Sequence, residues 1–145
     1  MIQRIQTIFL ILTVGVFGAL FKLPLATSDK PSAQFLSDQV YNVLDHPALL
    51  GLCSIGALLT LISIFMFKNR KLQLKFGYVI LLIALSIPIT AILLFKNISP
   101  SIDSSVHVIH QAGMFIPIAA VLFVILSNYF IRKDDKLVKS MDRLR

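Results

Sequence analysis

The chain has 145 residues, of which 57% are hydrophobic and only 14% charged, and its mean hydropathy is +0.84. That length suits one domain, and the low charged fraction excludes an ordinary water-soluble fold. Lys and Arg total 14 against seven acidic residues, all Asp, and the single cysteine, Cys53, excludes an intramolecular disulfide and a cysteine-built zinc site. A basic excess often points to nucleic acid, but the placement of these charges points to a membrane, and no nucleic-acid partner is expected.

Four apolar runs follow one another along the chain, at 8–26, 48–67, 76–95 and 113–131. Each is close to the ~20 residues that cross a ~30 Å hydrocarbon layer. Apart from Lys22, none contains a charge. The first run, preceded by Arg4, also has the shape of a signal peptide, but its exit "FKLPLATSD" lacks a clean small-x-small site, so a retained anchor is expected. Between runs one and two, Leu36, Val40, Val43 and Leu44 fit a short surface helix after the start signal "KPS", whereas Val40, Tyr41 and Val43 also favour strand. Segment 27–46 therefore stays open between helix and hairpin. "KNISPSIDSSV", between runs three and four, is a short turn-rich link.

Orientation follows from the Lys/Arg bias of the short loops. Arg4, the loop residues Lys68, Arg70, Lys71 and Lys75, and six basic residues after position 131 lie on one side. Only Lys22, Lys30 and Lys96 lie on the other. Both termini are expected in the cytoplasm. The fold class is all-α: an integral membrane four-helix bundle in one domain, N-in and C-in, with an amphipathic cytoplasmic tail at 132–145.

Small and weakly polar residues mark contact faces between membrane helices. Gly56, Thr60 and Ser63 share a face of the second run and Ser86 and Thr90 one of the third. Gly15 and Gly18 are expected to pack in the first run, and Ala119 and Ala120 in the fourth. Pro88 and Pro117 lie inside the third and fourth runs and should kink them as part of packing.

No catalytic constellation is present: no Ser/His/Asp or Cys/His set, no paired carboxylates and no phosphate-cradling glycine loop, so no enzymatic activity and no cofactor are expected. His46, His107 and His110 fall on the outer side, the latter two at i, i+3. They are the candidates for a metal or haem site; against it stand the absence of a neighbouring Glu or Cys and the plain reading of "LDHPA" as a helix start. No ionisable residue sits near a run's centre, which disfavours an ion-coupled transporter, although a small homo-oligomeric transporter remains an alternative.

The chain ends "IRKDDKLVKSMDRLR". On a helix, Arg132, Lys136, Lys139 and Arg143 form one basic stripe opposite Leu137, Val138, Met141 and Leu144. Such a segment suits an anionic membrane surface or an acidic partner. Together with Lys68, Arg70 and Lys71, this stripe is the expected contact surface for membrane lipids and for other inner-membrane protein subunits.

Three blocks, "IQRIQT" at 2–7, "FKNRKLQ" at 67–73 and "KLVKSMDRLR" at 136–145, resemble those of the four-span proteins of Bacteroidetes called domain of unknown function 4293. The resemblance implies a four-helix integral protein of a Gram-negative inner membrane and implies no activity. The function expected is that of a non-catalytic accessory or structural subunit of a larger membrane complex. A haem- or metal-binding membrane anchor is the rival.

Overall fold

A computed structural model describes residues 2–29, 38–67, 69–98 and 108–142. Four helices form the body: α1 (Ile2–Leu20), α2 (Pro47–Phe65), α3 (Arg70–Ile98) and α4 (Ala112–Asp142). Neighbours pack antiparallel in a ring, α1 on α2, α2 on α3, α3 on α4 and α4 back on α1. Three of them, α2, α3 and α4, are long and apolar enough to cross a membrane, and α1 contributes a shorter apolar helix, Ile5–Leu20.

The residues that turn inward recur with a strict 4–3 alternation. On α1 they are Gln6, Leu10, Thr13, Phe17 and Leu20, and on α2 Leu49, Cys53, Gly56, Thr60 and Ser63. On α3 they run from Gln73 through Gly77, Ile80, Ala84 and Ile87 to Ala91, and on α4 from Gly113 by the same steps to Ile131 and Asp134. A seam of period 3.5 is the pattern that lets antiparallel helices interdigitate at a shallow angle. The exterior is the reverse of a soluble protein's: Ile11, Leu58, Phe65, Leu82, Ile89 and Leu122 are exposed while Gln6, Thr60, Ser63 and Gln73 are fully buried. Outward apolar surface on this scale belongs in hydrocarbon.

Several boundaries differ from the sequence expectations. α1 begins at Ile2 and ends at Leu20 rather than spanning 8–26, because Pro24 disfavours helix at the residue before it and the chain turns at Phe21–Leu23. α3 starts at Arg70, six residues before the expected span. Asn69 ends the turn after α2 and caps α3, its Oδ1 accepting from the Leu72 amide at 3.4 Å. α4 continues through the charged tail to Asp142 without a break. Both α3 and α4 run uninterrupted through Pro88 and Pro117.

The glycines of α1 are a correction. Gly15 and Gly18 lie on the outer face with nothing within 4 Å of the position a Cβ would take, so they make no helix contact. The close approach between α1 and α2 is made by Gly56, where a Cβ would stand 2.7 Å from the Phe17 ring. Thr60 and Ser63 are fully buried beside it, whereas Ser86 and Thr90 are only half-buried. Two of these hydroxyls bond to their own helices, Thr60 Oγ1 to the Gly56 carbonyl at 2.6 Å and Ser86 Oγ to that of Ile83 at 2.8 Å. This removes their donors from lipid.

A three-stranded antiparallel sheet caps the end of the bundle opposite the termini, in the order β2-β1-β3, with β1 Ala26–Ser28, β2 Val40–Tyr41 and β3 Val108–His110. Ala26 pairs with Tyr41 on one side and His110 on the other. Val40 is thus in a strand, and Val43 and Leu44 lie in a short 3-10 turn, Val43–Asp45, so these three do not share a surface helix; Leu36 lies outside the described residues. Tyr41, Leu25, Ala26 and Val43 close over the core. Gly113 allows the tight join between the sheet and α4: its amide donates to the Pro24 carbonyl at 3.1 Å, and a Cβ there would strike that backbone.

Candidate functional site

The end of the bundle that carries both termini is built from polar side chains. Each helix supplies one to the same layer: Gln6, Ser63, Gln73 and Ser127, all with no exposed surface. Gln6 Nε2 donates to Gln73 Oε1 at 3.5 Å and Gln73 Nε2 to the Ser63 carbonyl at 3.1 Å, while Ser127 Oγ donates to the Gln6 carbonyl at 3.4 Å. A buried polar ring of this kind has few alternative partners in an apolar surrounding, and it fixes the helices in one register.

One layer further out, Arg70 at the start of α3 faces Asp134 of α4, Nε to Oδ2 at 2.8 Å, the side chains 21% and 13% exposed. The two atoms are in ionic contact without an aligned hydrogen bond. Asp134 therefore belongs to the inward seam and not to the solvated face of the tail. It went unnoticed in the sequence because it sits among charges, yet the steps 124, 127, 131, 134 continue the α4 seam.

The basic residues expected to form one contact surface are divided. Arg70 is turned into the bundle by Asp134. Arg132 lies over the Tyr78 ring, its guanidinium carbon 5.5 Å from the ring centre. Lys71, Lys133 and Lys136 are exposed. Lys68 and Arg143 lie outside the described residues, and α4 includes Lys139 with its side chain undescribed. On the same stretch of α4, Leu137 and Val138 are 44% and 36% exposed, which leaves part of the apolar side of the tail open.

Two of the three candidate histidines, His46 and His110, lie among the described residues. His46 is the N-cap of α2, its Nδ1 accepting from the Ala48 amide at 3.1 Å with Pro47 in the first turn, which is the helix-start reading. Asp45 instead accepts from the Asn42 amide at 2.5 Å. Its carboxyl is raised from the ordinary range, first by burial and also by the Asp38 charge, against the lowering effect of that amide. His110 is exposed on β3, edge-on to Phe95 at 6.1 Å, beside an apolar groove with Lys96 and Met114. His107 lies outside the described residues. Among the described residues no three His, Cys, Asp or Glu side chains come together to hold a metal.

No curated protein and no solved structure matches the chain. A family profile matches residues 2–144, nearly all of it. The chain belongs to the family described as Domain of unknown function (DUF4293).

Proposed function

We propose that this protein is a non-catalytic subunit of the bacterial inner membrane, crossing it four times with both termini in the cytoplasm, and that it binds larger membrane protein assemblies. The observation that carries the reading is the course of α4. It leaves the apolar bundle as an unbroken helix that exposes Lys133 and Lys136 together with Leu137 and Val138. A two-faced cationic helix at a membrane edge binds anionic surfaces and acidic partners more readily than it stays free in water. The polar ring and the Arg70–Asp134 pair hold the base of that helix rigidly against α1 and α3. The Lys/Arg asymmetry supports the cytoplasmic side for both ends.

The test is purification of the tagged full-length protein in a mild detergent, followed by native electrophoresis and mass spectrometry. A stoichiometric complex that is lost when Lys136 and Lys139 are replaced by Glu supports the reading. Emergence of the wild-type protein alone, or as a homo-oligomer, overturns it. Labelling of single cysteines placed near each terminus in intact and lysed cells tests the orientation independently.

A further inference from the structure

Between α3 and α4, just inside the termini end, lies a groove of about 250 Å³ lined by Tyr78, Leu81, Ile125, Asn128, Tyr129 and Arg132. It opens on the outer, lipid-facing side of the bundle, where Tyr78 and Tyr129 are 43% and 59% exposed. Its depth comes from Gly77. The Asn128 amide occupies the space a Cβ at 77 would need, which sinks this side chain to 7% exposure. Asn128 Oδ1 lies buried against Gly77 with no hydrogen-bond partner, so this amide forms a closed floor to the groove.

The groove's rim is cationic. Arg132 is exposed there, its guanidinium carbon 5.5 Å from the centre of the Tyr78 ring. Among the described residues no carboxylate pairs with it. The wall below, Leu81 and Ile125, is aliphatic. A cationic fork and two phenols at the membrane edge, with an apolar wall beneath, describe complementary parts of one ligand class.

We propose that this groove binds a single anionic glycerophospholipid. The phosphate diester accepts hydrogen bonds from Arg132 and from the hydroxyls of Tyr129 and Tyr78. An acyl chain lies along Leu81 and Ile125. Charge complementarity selects the anionic class, because Arg132 is exposed at the rim and exposed Lys136 follows it by one helical turn. A second copy of this chain would bring the same cations against Arg132 and is disfavoured. The inference rests on the membrane-spanning reading, but that reading does not depend on it: an empty groove leaves the apolar exterior unchanged.

The test is native mass spectrometry of the detergent-purified full-length protein titrated with phosphatidylglycerol or phosphatidylcholine. The expected result is one retained phosphatidylglycerol per chain and a several-fold preference over phosphatidylcholine, which carries no net charge. Arg132→Gln should lower retention about tenfold, the scale of one charge-assisted contact. Lys133→Gln should leave it within about twofold, as expected of an exposed, screened charge. Leu81→Trp, which fills the groove and keeps every charge, should also displace the lipid, and circular dichroism confirms that each variant stays helical. Equal retention of the two lipids, equal losses for Arg132→Gln and Lys133→Gln, or a stable dimer that excludes lipid would each overturn the proposal.

Discussion

Replacing Asp134 with Ala removes one half of the pair that joins the start of α3 to α4. At the observed 2.8 Å and an effective dielectric of about 20, the gross attraction is about 6 kcal/mol. Most of that is offset by the desolvation both groups incur, and the contact lacks an aligned hydrogen bond. Truncating one member of a fully buried pair costs about 3–5 kcal/mol, mainly because the other charge stays behind unpaired. Here the Arg70 side chain keeps 21% exposure and regains some water, so about 1–3 kcal/mol is expected. The assay is reversible unfolding in mixed micelles for Asp134→Ala, Arg70→Met and the double variant. The double variant should be more stable than the sum of the single losses predicts, with a coupling of at least about 1 kcal/mol. Additive losses, or a single-variant cost below about 0.5 kcal/mol, would refute the assignment of Asp134 to the bundle interior.

Three further outcomes follow from the packing. Gly77→Val should cost about 1–3 kcal/mol by forcing the Asn128 amide from its place, read as a lower midpoint of thermal unfolding. Gly15→Ala and Gly18→Ala, at open positions on α1, should be neutral or stabilise by up to about 1 kcal/mol in the same measurement. Tyr41, outside the spans, has its phenol pushed up to about 12 by burial and by the nearby Asp45 carboxylate. Its folded value is raised, so its contribution is fully present below pH ~10 and is lost as pH rises through ~12, on the order of a few kcal/mol in all. Stability of the wild type should therefore fall more steeply than that of Tyr41→Phe between those limits.

Composition and hydropathy made the helices legible because hydrocarbon imposes so strong a rule on what faces it. Small inward residues such as Gly56, Thr60 and Ser63 were legible for a similar reason: close helix approach admits little else. Gly15 and Gly18 look the same in sequence and face outward, since a glycine's identity does not tell which side of the helix it occupies. What separates the two groups is phase. Gly56, Thr60 and Ser63 fall on the 4–3 seam that Leu49 and Cys53 begin, whereas Gly15 and Gly18 fall off the seam of Leu10, Thr13 and Phe17. The same phase finds Gln6, Gln73 and Asp134, which hydropathy hides because they lie beyond the apolar windows. The sheet was the least legible element. Its two- and three-residue strands pair across long sequence separations, Ala26 with His110, and no local pattern encodes that.

The two ends of the bundle are held by different physics, and this bears on where interaction belongs. At the sheet end, backbone pairing and the buried side chains of Tyr41, Leu25 and Val43 close the core. At the termini end, the ring of Gln6, Ser63, Gln73 and Ser127 satisfies most of its own hydrogen bonds but leaves Gln6 Oε1 and Ser63 Oγ without partners, as it leaves Asn128 Oδ1 one layer away. Buried acceptors without donors cost stability unless a bound group or water meets them. The exposed cations and the partly exposed Leu137 and Val138 lie at this same end. Positive charge at the rim and apolar surface beside it both lower their free energy against an anionic membrane edge. Under the proposed function, substitutions at the base of α4 should alter association while those under the sheet alter folding.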